Sequence, residues 1–302
     1  MLVVLTSAKG APGVTTAALA LAATWPSSDS PVLIECDPSG GDLITGFQLN
    51  AEPGLTSLAA AARWEHGQRL VSAHSQQLPG GLAVVAAPAA AEQAAAASGV
   101  LLASADWEAM SAASPTAEGA EGAGALVVDA GRLPAGPVDE TPSARLLRAA
   151  DVVLLVAAND SAGVVHAAAR LEPLARVVTS PERLRLLLVE AGGYPPRDVA
   201  SALGAQVAGL LPFDRRAASA LTGREPPRSG ALRRTRPLHR SPLLKAAAAL
   251  GRSLADSQPW TPPRPADTPG RAVKGFVPAR PPGAGLGEAA GVSARHEPGD
   301  GR

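Results

Sequence analysis

Aromatic side chains make up only 3% of this 302-residue chain, which holds three Phe, one Tyr and four Trp. With 46% hydrophobic residues all the same, the interior must be filled by Ala, Leu and Val, which suits layered helices and strands better than a β-sandwich. Cysteine is nearly missing. Cys36 alone excludes an intrachain disulfide framework and a cysteine-rich zinc site, and it fits a reducing compartment, so a cytoplasmic location is expected. Lysine is scarce as well: Lys9, Lys245 and Lys274 stand among 27 basic residues. Arginine therefore supplies generic positive charge, and a lysine inside a glycine-containing loop needs its own explanation. Those 27 basic residues are balanced by 27 acidic ones, which removes any global pull toward nucleic acid or membrane. Purely apolar runs such as Val152 to Ala158 are strand-sized and far short of the roughly 20 residues that cross a bilayer. Met1 to Ser7 is apolar, but no basic segment precedes it and no cleavage-type sequence closes it, so it reads as a first strand. The histidines, His66, His74, His166, His239 and His296, are dispersed without metal-ligand spacing. No Gly-x-Ser-x-Gly turn or Cys/His pair points to nucleophilic hydrolysis.

What is present is alternation. Short β-branched or Leu-rich runs occur at Leu2 to Leu5, Val32 to Ile34, Leu82 to Ala86, Ala125 to Val128, Val152 to Val156, Leu184 to Val189 and Val207 to Leu211. Helical stretches lie between them at Thr15 to Thr24, Ala89 to Ala97, Ser143 to Ala149, Ala162 to Leu171, Arg197 to Leu203 and Asp214 to Leu221. Continuous apolar strands separated by helices predict an α/β fold, a doubly wound, mostly parallel sheet with helices on both faces. The segment Thr56 to Pro79, with Trp64, His66 and His74 in a helical pattern, is expected to be an excursion on the surface of the sheet. Ala103 to Gly124 reads as a helix end followed by a loose connection.

Residues 1–222 form the expected main domain, within the size at which one α/β core still holds together. Residues 223–256 read as a basic linker and a terminal helix, Leu243 to Leu254, apolar on one side and expected to pack on the domain. Gly223 to Lys245 carries six arginines and Lys245 against Glu225 alone. Such a stripe can touch DNA phosphates or an anionic membrane surface nonspecifically, or simply be a solvated linker. Residues 257–302 hold nine prolines and eight glycines, too little apolar surface to offset chain ordering, so a disordered tail is expected.

The densest chemistry lies at the first strand–helix junction, Ser7-Ala8-Lys9-Gly10-Ala11-Pro12-Gly13-Val14-Thr15-Thr16. Small residues let the backbone curl so that several N–H groups face one point, and the following helix adds partial positive charge, an arrangement that suits a phosphate chain. Thr15 stands where a metal-binding hydroxyl would serve a magnesium ion shared with a nucleotide. Two acids follow at strand ends. Glu35-Cys36-Asp37-Pro38-Ser39-Gly40-Gly41 puts Asp37 after the second strand, and Leu126-Val127-Val128-Asp129-Ala130-Gly131 puts Asp129 after a later one. In an open parallel sheet ligands gather at the carboxyl ends of strands. The plain alternative for Asp37 is a turn-capping acid before proline.

The loop resembles the deviant Walker A motif of the ParA/MinD ATPases, Lys-Gly-Gly-x-Gly-Lys-Ser/Thr, at Lys9, Gly10, Gly13 and Thr15. It departs from it at Ala11 and at Val14, which takes the place of the lysine that contacts the β and γ phosphates. The resemblance covers about residues 1–222 and implies ATP and Mg2+ as ligands, with residues 9 to 16 cradling the phosphates and Lys9 reaching across a homodimer to the partner's nucleotide. It implies that Asp37 resembles the second acid of an Asp-x-Asp motif, orienting water and the metal shell, with Glu35 in place of the first. It also implies a Walker B role for Asp129, and a position near the base for Pro212, Phe213 and Asp214. Relatives often have asparagine where this chain has Glu190. Cargo in the family can be DNA, a division site or a pilus or secretion machine, and the atypical loop resembles the branch that localises Tad-type pili. Loss of the Val14 cation implies weak or absent hydrolysis, or a scaffold that needs no nucleotide.

Overall fold

The computed structural model describes residues 1–10, 13–26, 31–112, 114–115, 121–122, 125–224 and 240–256. The tail at 257–302, most of the basic stretch, and Ala11 and Pro12 lie outside the described residues. In chain order the elements are β1 (Leu2–Ser7), α1 (Val14–Ala23), β2 (Val32–Glu35), α2 (Leu43–Phe47), α3 (Leu55–Ala61), α4 (Gln68–Ala73), β3 (Gln76–Gln77), β4 (Ala83–Val85), α5 (Ala91–Ser104) and α6 (Trp107–Ser111). They continue with β5 (Ser114–Pro115), β6 (Glu121–Gly122), β7 (Leu126–Arg132), α7 (Ser143–Ala149), β8 (Val152–Ala158), α8 (Ser161–Val177), β9 (Leu184–Val189), α9 (Pro196–Leu203), β10 (Val207–Leu211), α10 (Arg215–Leu221) and α11 (Pro242–Ala255).

The main sheet has the order β10-β9-β8-β1-β7-β2-β4-β3. Every pairing in it is parallel except β3 on β4, and β5 and β6 form a separate antiparallel pair. β1 is therefore central, and its carboxyl end opens between β8 and β7. Because successive strand residues point to opposite faces, the continuous apolar run of β1 feeds two cores. Leu2 and Val4 join Ile34, Val128, Leu101, Trp107, Leu146 and Leu174 on one face. Val3 and Leu5 join Leu33, Val127, Leu154, Leu19, Leu21, Leu250 and Leu254 on the other. Ala and Leu carry this packing because the crossings are close. At the α1–α11 crossing, Gly251 leaves so little room that an added Cβ would lie 3.3 Å from Pro26 and 3.5 Å from Leu21. Truncating one of these fully buried leucines to alanine would cost about 2 to 5 kcal/mol.

The seven expected strands and the doubly wound architecture are present, and two expectations need correction. The segment from Thr56 to Pro79 is not a surface excursion: α3 and α4 bury Leu55, Leu58, Ala59, Leu70 and Val71 in the first core. Its turn is the most exposed stretch, with Trp64 78% exposed beneath the Arg63 guanidinium. The region after α5 is likewise not just a loose connection, since α6 follows at once and buries Trp107 and Met110. Its start is set by Asp106, whose side chain accepts from the Ala109 N–H at 2.9 Å. α5 and α8 also run further than the pattern indicated, to Ser104 and Val177. In α8 the Asp160 cap fixes the beginning, and burial of Leu174 and Val177 carries the helix past Pro173.

Candidate functional site

At the carboxyl end of β1 the chain bends through Ala8, Lys9 and Gly10, and α1 starts after Gly13. Gly13 has φ 86, a left-handed conformation that glycine tolerates without a Cβ clash. Its carbonyl accepts the Ala17 N–H at 2.9 Å, so the helix begins immediately. No side chain caps α1 and no acid occupies its first turn, which leaves the first N–H groups and the positive end of the helix dipole for an anion. Lys9 and Gly10 are exposed, and Thr15 and Thr16 are half-buried. Val14 is 7% exposed and packs into the second core with Val3 and Leu5. The position that would carry a phosphate-binding lysine is thus a core residue here.

Asp129 stands in β7 with Leu5 of β1 and Glu35 of β2 as its register neighbours. It is completely buried. Its Oδ1 accepts the Gly131 N–H at 2.9 Å, and among the described residues its Oδ2 has no partner at good hydrogen-bond geometry, with only the Thr15 hydroxyl beside the carboxylate. Burial pushes its pKa up to about 6, against the lowering effect of the neighbouring Thr15 hydroxyl and the Gly131 N–H. Asp37 and Asp42 raise it further by repulsion. A buried carboxylate oxygen without a donor is costly, and a cation or a metal-bound water beside Thr15 would relieve it.

Asp37 lies against Gly131, where any Cβ would overlap the carboxylate; Gly131 also has φ 59. Asp37 Oδ1 accepts the Ser39 N–H at 2.8 Å, so the side chain caps its own turn while sitting close enough to Asp129 to perturb it. The turn is held by a residue to which the sequence assigned no role. Glu35 is 2% exposed; its Oε1 accepts from Asp42 N–H at 2.8 Å and Leu43 N–H at 3.3 Å, and its Oε2 from Ala87 N–H at 2.9 Å. Burial raises its pKa to about 7 despite these bonds. Gly41 must be glycine at that point, because a Cβ would collide with the Glu35 carboxylate and the Ala87 carbonyl. Cys36 is no nucleophile, since burial pushes its thiol up to about 12.

On the other side of the loop, a cleft of about 170 Å³ runs between Ala8, Lys9 and Gly10 and the β8–α8 junction, with Asp160, Gly163 and His166 on its wall. Beyond it the polar groups at the strand ends are mostly committed. Asn159 accepts the Ala191 N–H at 2.7 Å and donates to the Tyr194 carbonyl at 3.1 Å, stapling the β9–α9 connection. Asp160 caps α8 through the Gly163 N–H at 2.7 Å. Asp214 Oδ1 caps α10 through the Ala217 N–H at 3.0 Å, and its Oδ2 accepts the Ser241 hydroxyl at 2.7 Å. These bonds overcome the effect of desolvation and lower its pKa. Phe213 is 73% exposed, and its N–H donates to Glu190 Oε2 at 3.3 Å.

The structure therefore gathers Thr15, Asp37 and Asp129 beside the α1 N-terminus and sets Pro212, Phe213 and Asp214 two to three strands away. The Glu35 clamp and the fit of Gly131 were not read from the sequence. A buried acid at a strand end and a glycine two residues after Asp129 were the only local signals of either.

A central parallel strand that runs through a glycine-bent loop into a helix, beside a strand that carries a buried acid, is the arrangement of P-loop nucleotide-binding proteins. No protein-family model matches the sequence, and no curated protein matches it. Solved structures do match. A ParA family ATPase from Chlorobium tepidum TLS is similar over 83% of this chain and 98% of its own, with TM-score 0.58 and 16% identity. MinD in the MinC:MinD cell division complex of Aquifex aeolicus is similar over 84% of this chain and 96% of its own, with TM-score 0.56 and 14% identity. The septum site-determining protein MinD of Pyrococcus horikoshii OT3, complexed with Mg-ADP, is similar over 84% and 95%, with TM-score 0.55 and 12% identity. The chain has the fold of the ParA and MinD ATPases.

Proposed function

We propose that this chain is a nucleotide-dependent positioning protein: it binds a magnesium nucleoside triphosphate, ATP by family resemblance, at the β1–α1 loop, dimerises around it and recruits a cargo. The observation that carries this reading is the orphaned Oδ2 of the fully buried Asp129 beside Thr15. Among the described residues there is no cluster of three or more His, Cys, Asp or Glu that could hold a metal alone. The Thr15 hydroxyl and the Asp129 carboxylate are oxygen donors that suit magnesium, which usually keeps several waters and takes other oxygens from substrate phosphates. A magnesium ion held by Thr15 and Asp129 would supply positive charge beside the phosphates.

The chain's own groups divide the remaining work. The uncapped first turn of α1 holds phosphate oxygens. Thr15 and Asp129 hold the metal's shell, and Asp37 accepts a proton or orients a water. Val14 contributes no charge, so the loop lacks at least one charge-assisted hydrogen bond, worth about 1.5 to 3 kcal/mol. Hydrolysis is accordingly slow or absent, and Lys9, exposed beside Gly10, supplies its cation to the partner subunit's nucleotide. The cargo is a partitioned DNA, a division septum or a Tad-type pilus or secretion component, and residues 224–245 add a nonspecific contact to DNA or an anionic membrane surface. The protein works in the cytoplasm, peripherally at a membrane, pole or nucleoid.

A second reading, a scaffold that recruits partners without nucleotide, is favoured by the burial of Val14 in the core. Equilibrium binding of labelled ATP and GTP with and without magnesium separates the two. Millimolar-range or tighter binding that needs magnesium is expected, and no binding at a protein concentration that permits dimers leaves only the scaffold. Lys9→Ala is expected to abolish ATP-dependent dimerisation without changing thermal stability. An unchanged sedimentation profile in ATP would count against the shared site.

A further inference from the structure

At the carboxyl ends of β9 and β10 an exposed aromatic ring, in the loop that the resemblance places near a base, stands together with a carboxylate that has no assigned task. Phe213 is 73% exposed in a chain with only three phenylalanines, on a loop held rigidly by its neighbours. Pro212 precedes it, and Asp214 behind it is anchored to both α10 and Ser241. The Phe213 N–H is bonded to Glu190 Oε2, which ties the carboxylate to the base of the ring. The Glu190 N–H in turn donates to the Leu211 carbonyl at 2.9 Å, so both residues are fixed to the end of the sheet.

We infer that Glu190 and Phe213 select the nucleobase, and that this edge favours guanine over adenine. The assignment rests on the nucleotide reading of the β1–α1 loop. Adjacent strands lie about 4.8 Å apart, so β9 and β10 end roughly 10 and 14 Å from β1, on the side toward which α10 packs against α1. A nucleotide with its phosphates at the α1 N-terminus carries its base over this distance. The exposed ring provides a face on which any base stacks.

The edge must be read by hydrogen bonds, and Glu190 is the acceptor bonded to the ring's own backbone. Asn159 and Asp214 have both polar ends engaged, and Asp160, with one oxygen capping α8, lines the cleft beside Lys9 and not the Phe213 loop. Glu190 Oε1 makes no hydrogen bond among the described residues, and a carboxylate has lone pairs to spare beyond the one used by Phe213. An ionised carboxylate only accepts. Guanine presents its N1–H and its N2 amine side by side, two donors that match the two oxygens. Adenine presents the bare N1 lone pair on that edge, which the carboxylate repels, and keeps only its N6 amine as donor.

The test compares magnesium complexes of ribose-labelled, nonhydrolysable GTP and ATP analogues on the full chain, by equilibrium fluorescence. The unmodified protein is expected to prefer the guanine analogue by about tenfold or more, the discrimination a bidentate base contact gives. Glu190→Gln, which can both donate and accept, should remove at least most of that preference by weakening guanine and strengthening adenine. Phe213→Ala should weaken both analogues by a similar factor and leave their ratio unchanged. Equal affinities, tighter binding of the adenine analogue, or a ratio unmoved by Glu190→Gln would overturn the base assignment and leave the nucleotide reading standing. Binding of neither analogue at millimolar concentration would overturn both. Glu190 is exposed, so its variant is expected to fold, and an unchanged melting temperature establishes that any loss is a loss of recognition.

Discussion

The row of strand ends has two unlike halves. At β8, β9 and β10 the polar side chains close on local backbone: Asn159 on Ala191 and Tyr194, Asp160 on Gly163, Asp214 on Ala217 and Ser241. At β2 and β7 the acids are more deeply buried: Glu35 is held by three backbone N–H groups, whereas Asp129 is held by the Gly131 N–H with the Thr15 hydroxyl beside it. Asp129 has an orphan oxygen, and both Asp129 and Glu35 are pushed to pKa values of about 6 and 7. Satisfied caps are scaffolding, because they lower the free energy of the fold with nothing added. Unsatisfied charge is a standing cost that a ligand can remove, and proteins retain such sites where function needs them.

The sharpest way to break this contrast is Gly131→Val. The substitution forces a β-branched residue into φ 59 and drives its side chain into the Asp37 carboxylate. A loss of about 3 kcal/mol or more is expected in chemical denaturation, together with loss of magnesium-dependent nucleotide binding. Retained stability would show that the close approach of Asp37 to Gly131 is not part of the fold.

The next effect comes from pH. Glu35 and Asp129 have folded pKa values raised from 4.5 to about 7 and from 3.8 to about 6. The folded state therefore holds protons that the unfolded state releases. Their contribution is fully present below about pH 4 and is lost as pH rises through 6 and 7. Each group should remove on the order of 3 kcal/mol across that window, about 6 together. Magnesium nucleotide, by stabilising ionised Asp129, should flatten the decline. A stability profile with no downward contribution between pH 4.5 and 7 in the parent relative to a Glu35→Gln, Asp129→Asn double variant would refute the buried-acid account.

On the satisfied half, Asp214→Ala removes one helix cap and the hydroxyl bond to Ser241, and about 2 kcal/mol of destabilisation is expected. Its melting temperature should fall while magnesium dependence of binding persists. The smallest effect has the opposite sign. Asp129→Asn removes a desolvated charge, so at pH 7.5 the fold should gain about 1 kcal/mol while magnesium-dependent binding disappears. A destabilised Asp129→Asn protein would erase the distinction between the two halves.

Much of the architecture was legible in advance. The strand runs at Leu184 to Val189 and Val207 to Leu211, and the helix at Ser143 to Ala149, coincide with β9, β10 and α7. Continuous apolar runs of strand length and helical spacing are local properties. The segment around α3 and α4 was misjudged because its exposed turn, with Trp64, Glu65 and His66, outweighed the spaced leucines that face the core. For the site, small residues around Gly13 and acids at strand ends marked the location. Neither the burial of Val14 nor the engagement of Asp214 could be read there, since both depend on segments remote in sequence.

By itself the sequence determined the alternation of strands and helices, the bend after β1 and the placement of Asp37 just past β2, because periodicity and turn chemistry act between near neighbours; Asp129, expected at a strand end, lies inside β7, which runs on to Arg132. Only the tertiary structure decided which polar groups found partners. Ala87 reaches Glu35 across 52 positions and Ser241 reaches Asp214 across 27, while among the described residues Asp129 Oδ2 finds no donor at good geometry. Hydrogen-bond satisfaction and desolvation depend on what distant chain segments bring to a point in space, and that is where the candidate chemistry of this protein resides.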